Sequence, residues 1–138
     1  MHRTFLGLGS NMGDRQRTIS QAMEEIGHRI GRVVAMSSLY ETDPWGYKSE
    51  NKYINAVVAV DTELSPRGLL AHTQAIERLL GRDSKTVDGA YHDRTMDIDI
   101  LLYDDVTVDE TDLKIPHPRM GERDFVMNPL KEVMAKLA

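Results

Sequence analysis

Two segments of helical periodicity set among four β-rich segments, in the order βαββαβ, predict an α+β fold. A strand that alternates acids with aliphatic residues marks one sheet face as the chemical one. The first strand is "TFLGLG" (4–9), which runs into glycines and the turn "SNMGD". Asp14 then caps a helix over 15–30, where Ile19, Ala22, Met23, Ile26 and Ile30 recur at helical spacing. "RVVAMSSLYET" (32–42) and "KYINAVVAVDTE" (52–63) are rich in β-branched and aromatic residues and read as two strands, joined by the turn formers of "DPWGYKSEN" (43–51). Ser65 as cap, Pro66 in the first turn and Gly81 as terminator bracket a second helix, whose apolar stripe is Leu69, Leu70, Thr73, Ile76, Leu79 and Leu80. "TMDIDILLY" (95–103) is the fourth strand. The natural solution for this order is a ferredoxin-like sandwich: an antiparallel sheet with both helices on one face and the other face open. Extra short strands and a helix are expected to follow towards the C-terminus.

Length and composition bound the rest. A chain of 138 residues with 41% hydrophobic and 6% aromatic content suits a single domain, 1–138, with a modest core. The absence of cysteine rules out disulfides and thiolate metal sites, so any metal must sit on oxygen or imidazole. A net charge of -5 argues against a nucleic-acid partner. No apolar run is long enough to span a bilayer, and "MHRTFLGLGS" lacks the basic flank and long apolar stretch of a signal peptide. A cytoplasmic monomer without membrane contact is expected.

Asp97 and Asp99 stand between Met96, Ile98, Ile100, Leu101 and Leu102. Alternation along a strand sends both acids to one face, the one that Tyr53 and Asn55 share if Ile54, Ala56, Val58 and Val60 face the helices. Two carboxylates at i and i+2 repel one another, and a hard cation such as Mg²⁺ offsets that repulsion. An edge strand with one solvated face produces the same D-x-D spacing, so spacing alone leaves both readings open. Basic groups crowd the pair, with Arg82, Lys85, His92 and Arg94 before it and Lys114, His117, Arg119 and Arg123 after it. Metal-bridged polyphosphate accounts for that crowding in an acidic chain, while ordinary surface ion pairs account for Lys85, Lys114 or Arg119 singly.

The blocks "LGSNMGD" (8–14), "SSLYETDPWG" (37–46), "YINAVV" (53–58), "GR" (81–82), "DRTMDIDILLY" (93–103) and "IPHPRMGERDFVMNPL" (115–130) resemble, in order and near-identical spacing, the 6-hydroxymethyl-7,8-dihydropterin pyrophosphokinases of folate biosynthesis. The resemblance covers nearly the whole chain. It implies transfer of pyrophosphate from ATP to the hydroxymethyl group of the dihydropterin, giving AMP and the pterin diphosphate, with two Mg²⁺ ions. Matched position by position, it implies Asp97 and Asp99 as metal ligands and Arg82 and Arg94 as catalytic arginines. It implies Gln74, Glu77, Ile100, His117 and Arg123 around the nucleotide. Tyr53 and Phe125 would sandwich the pterin ring, with Asn55 reading its polar edge and Thr42, Asp43 and Trp45 completing the pocket.

The polar loop 82–93 is expected to act as a lid, with the 43–52 loop rearranging alongside it. Departures from the family pattern fall mostly there. Tyr91, His92 and Asp93 replace a common Trp-Gly-Pro, Ser84 stands where a second arginine often follows Arg82, and Asp43 replaces a commoner apolar residue or proline. Gly7, Gly9 and Gly13 nearly spell a dinucleotide fingerprint, but Gly-x-Gly-x-x-x-Gly has the wrong spacing, so Ser10 and Asn11 are read as supporting residues. Two rival classes share the fold: a non-catalytic ligand-binding module, in which the acids would be dispensable, and an RNA-binding sheet, which would need exposed aromatics that this chain lacks.

Overall fold

The computed structural model describes residues 1–43, 51–81 and 95–138. Strand β1 (His2–Ser10) leads through the 11–14 turn into helix α1 (Arg15–Arg29), where the Asp14 side chain accepts a hydrogen bond from the Arg17 N–H as the expected cap. Strands β2 (Gly31–Met36), β3 (Tyr40–Thr42) and β4 (Tyr53–Thr62) follow, then helix α2 (Pro66–Leu79), capped by Ser65. Gly81 ends that segment at φ +95°, a backbone conformation that L side chains rarely adopt. Strand β5 (Asp97–Tyr103), the hairpin of β6 (Val108–Glu110) and β7 (Leu113–Ile115), and helix α3 (Asp124–Leu137) complete the chain.

The main sheet is antiparallel in the order β2-β4-β1-β5, with β3 also on β4, as the βαββαβ reading requires. Its helix-facing side carries Leu6 and Leu8 of β1, Ile54, Val58 and Val60 of β4, and Ile98 and Ile100 of β5, packed against Ile19 and Ile26 of α1 and Leu69 and Ile76 of α2. Close approach between strands explains Gly31, where a Cβ would lie 2.0 Å from the Asp61 carbonyl oxygen.

Three expectations are corrected. The second strand is not continuous over 32–42 but breaks at 37–39. Ser37 exchanges two bonds with Val57: its N–H donates to the Val57 carbonyl and its hydroxyl accepts from the Val57 N–H, each at 2.9 Å. A hydroxyl standing in for a main-chain acceptor displaces the ladder. Ser38 then turns outward, where its N–H and hydroxyl both donate to Glu132 of α3. Second, the far face of the sheet is not open throughout, because α3 lays Val126, Leu130 and Val133 on Val57, Ala59 and Leu101 as a second core. An apolar helix with β-sheet aliphatics available buries both. Third, Leu79 leaves the apolar stripe of α2 and is 55% exposed, while Glu77 takes a buried place.

Candidate active site

Strand register sets the site. On the far face Gly9 of β1 pairs with Asn55 on one side and Asp97 on the other, and Gly7 pairs with Val57 and Asp99. Because α3 covers only the Val57–Ala59–Leu101 end, a trough remains between Tyr53 and Asn55 on one wall and Asp97 and Asp99 on the other. Its floor is glycine. The walls stand two strand spacings apart, roughly 10 Å. The Asn55 amide Nδ2 donates to Thr42 Oγ1 at 2.6 Å, and a Cβ on Gly9 would lie 3.1 Å from Asn55 Oδ1 and 3.5 Å from the Tyr53 ring. The Asn55 amide thus has one of its two N–H donors committed to Thr42 of β3 and its acceptor over the glycine floor. The sequence reading did not single out this pair: Gly9 lies under Asn55 and Tyr53, while a Cβ on Gly7 would meet the Leu101 side chain at 3.4 Å. The available signal was their period of two on a strand, which puts both on one face where something approaches the backbone closely.

Asp97 and Asp99 are both half-buried, and their neighbours Ile98 and Ile100 lie in the helix-facing core, so the acids share the opposite face as expected. Among the described residues no group of three or more His, Cys, Asp or Glu side chains is placed to hold a metal. Two carboxylates from one strand suit Mg²⁺, which is commonly held by one or two carboxylates with substrate phosphates and water supplying the rest. They do not suit a closed structural zinc site.

The remaining predicted residues divide by position. Arg123 is buried, and its guanidinium carbon lies 5.5 Å from the centre of the Phe125 ring, so these two residues meet at the start of α3. The His117 N–H donates to the Leu101 carbonyl, tying that loop to β5, and its Nδ1 accepts from the Arg119 N–H at 3.3 Å. Gln74 is exposed on α2. Glu77 is only 2% exposed, and its carboxylate accepts a 2.7 Å bond from the N–H of Ile98, the residue between the two acids. Ile100 contributes its side chain to the helix-facing core, away from the face of the acids. Asp43 is exposed at the end of β3, and Lys114 pairs with Asp109 in the β6–β7 hairpin, as a surface ion pair. Trp45, Arg82, Lys85, Tyr91, His92 and Arg94, with most of the 43–52 and 82–93 loops, lie outside the described residues.

Beside the trough, Tyr40 of β3 pairs with Asn55 and donates its hydroxyl to Glu132 at 2.6 Å. That bond, with the Ser38 N–H, holds the Glu132 carboxyl down at about 2, and the same carboxylate raises the Tyr40 phenol above its usual value.

The sequence profile of the 7,8-dihydro-6-hydroxymethylpterin-pyrophosphokinase family matches residues 5–135. Among curated relatives, the 2-amino-4-hydroxy-6-hydroxymethyldihydropteridine pyrophosphokinase of Porphyromonas gingivalis is 50% identical over 130 residues, covering 94% of this chain and 88% of that protein. The Methylorubrum extorquens protein of the same name is 43% identical over 138 residues, covering 99% of this chain and 85% of its own. The crystal structure of an HPPK-DHPS protein in complex with substrates superposes with a TM-score of 0.76 at 14% identity, over 96% of this chain and 40% of that one, a likeness of fold. The chain belongs to the 7,8-dihydro-6-hydroxymethylpterin-pyrophosphokinase family.

Proposed function

We propose that this chain, working as one unit over residues 1–138, transfers the pyrophosphoryl group of ATP to the hydroxymethyl oxygen of 6-hydroxymethyl-7,8-dihydropterin. The hydroxyl oxygen attacks the β-phosphorus and gives up its proton to water, the bond from that phosphorus to the α–β bridging oxygen breaks with its electron pair going to AMP, and AMP and the pterin diphosphate leave. The observation that carries this reading is the row Asp97–Gly9–Asn55: an acidic wall for metal-bound phosphate and an amide wall for a heterocycle, facing one another across a floor without side chains.

In this reading the flat ring rests over Gly9, beside Tyr53 and with Phe125 as the second aromatic. The Asn55 Oδ1 accepts from the N–H donors of the pterin edge, the amide being oriented by the bond from one of its two N–H groups to Thr42. Asp43, exposed just after Thr42, lies at the same end of the pocket, and Trp45, outside the described residues, is assigned to the pterin by the family resemblance. Asp97 and Asp99 would hold the two Mg²⁺ ions expected with ATP, and the bound metal would supply charge neutralisation at the transferring group. Arg123 and His117 face the nucleotide phosphates from the C-terminal side, with Gln74, Glu77 and the main chain at Ile100 on the other. Arg82 and Arg94 neutralise charge on the pyrophosphoryl group as it moves. The protein acts as a cytoplasmic monomer on small molecules; among the described residues no helix is long and apolar enough to cross a membrane.

Incubation with ATP, Mg²⁺ and the hydroxymethyl-dihydropterin tests the reading: AMP should form one-for-one with the pterin diphosphate. ADP as the stoichiometric product, or no nucleotide turnover, overturns it.

A further inference from the structure

We propose that Arg15, on the helix side of the sheet and outside the trough, is a positioning residue that sets the pterin-binding wall from behind; the inference rests on the function proposed above. Strand β3 has three residues and, among the described residues, pairs only with β4; Glu132 fastens its Tyr40 end, and the Thr42 end is too short a ladder to hold its register by itself. Yet the Thr42–Asn55 hydrogen bond depends on that register, because Thr42 pairs with Tyr53 and Tyr40 with Asn55. Arg15 opens α1 and reaches both strands: one guanidinium nitrogen donates to the Lys52 carbonyl at 2.8 Å, and the other meets the Glu41 carboxylate at 3.1 Å. Lys52 and Glu41 are the residues immediately before Tyr53 and Thr42. The guanidinium thus clamps the entry to β4 against β3, next to a hollow of about 460 Å³ that Asn11 and Asn51 also line. A planar fork with two arms can hold a carbonyl and a carboxylate at once, and a lysine ammonium cannot do so in the same geometry.

The experiment compares KM for the pterin, KM for ATP and kcat across Arg15→Ala, Arg15→Lys, Glu41→Gln and Glu41→Ala, with melting followed by circular dichroism. Arg15→Ala should raise the pterin KM about tenfold while kcat and the ATP KM stay within about twofold of the parent. Arg15→Lys should retain most of that defect. Glu41→Gln keeps an acceptor and should stay near the parent, whereas Glu41→Ala should move towards Arg15→Ala. An unchanged pterin KM in Arg15→Ala, or an equal rise in both KM values, overturns the proposal. If Arg15→Ala does not fold, the contrast between Glu41→Ala and Glu41→Gln decides on the same criterion. Fluorescence titration with 6-hydroxymethylpterin gives the comparison as Kd values. A parent protein that binds the pterin but makes no AMP therefore refutes the proposed function alone, and one that binds no pterin refutes both.

Discussion

Gly9 has no side chain to put between Asn55 and Asp97, and that vacancy is as much a part of the site as either neighbour. Gly9→Ala adds one carbon 3.1 Å from Asn55 Oδ1, so the amide must give way by a few tenths of an ångström, while the Tyr53 ring at 3.5 Å would be in ordinary contact with the new methyl. The expected outcome is a pterin KM raised by about tenfold or more with ATP affinity retained, read from steady-state kinetics. In the proposed function the acids on the facing wall carry the other half of the chemistry. Asp97→Ala or Asp99→Ala should lower turnover on the order of 10³-fold, since metal stabilisation of transition-state charge amounts to several kcal/mol and each 1.4 kcal/mol is a factor of ten. Near-parental AMP formation by either variant would remove that acid from the reaction, whereas a parent that forms no AMP would favour a non-catalytic module. The shared face of the acids could be read from sequence because a period of two along a strand has one geometric meaning, while their role as metal ligands came from the family resemblance. The glycines could not, because an absent side chain matters only when its neighbours across the sheet are known.

Helix α3 shows how an element completes a fold that its own sequence only half announces. Val126, Leu130 and Val133 recur at helical spacing, but nothing local says which surface they cover. They cover the sheet's far face, and Leu130→Ala should destabilise the protein by about 2–5 kcal/mol in denaturant unfolding, the usual range for a buried leucine. Glu132, one turn away from the apolar stripe, fastens the same helix to Ser38 and Tyr40. Its carboxyl is held at about 2, below the ordinary 4.5, so its contribution to stability is present above 4.5 and is lost as pH falls towards 2. The Tm of Glu132→Ala should therefore lie below the parent's at neutral pH, and the gap should narrow over that acid range. A gap that does not change with pH would place the loss in packing rather than in the ionised carboxylate. The break at 37–39 belongs to this element too. A run rich in β-branched residues reads as one strand until α3 offers Glu132 to Ser38 and Tyr40.

At the scale of the whole molecule, two cores lie on opposite faces of one sheet, and the trough is the part of the far face that α3 leaves uncovered. The two acids are half-buried at its edge rather than in either core, so in the proposed function a metal held there would serve chemistry and not folding. Removing Mg²⁺ with EDTA should abolish AMP formation while leaving the circular dichroism spectrum and Tm unchanged, and added Mg²⁺ should restore activity. A fall in Tm with EDTA would contradict this. The sequence by itself determined the strand and helix order, the caps at Asp14 and Ser65, and the shared face of Asp97 and Asp99, because hydrophobic period and capping chemistry act within a few residues along the chain. Only the tertiary structure decided that α3 closes half of the open face, that Gly9 separates Asn55 from Asp97, and that the carboxylate of Glu77 meets the Ile98 N–H from across the core. Those facts depend on register and packing between residues tens of positions apart, and no local pattern encodes which residue will stand opposite which.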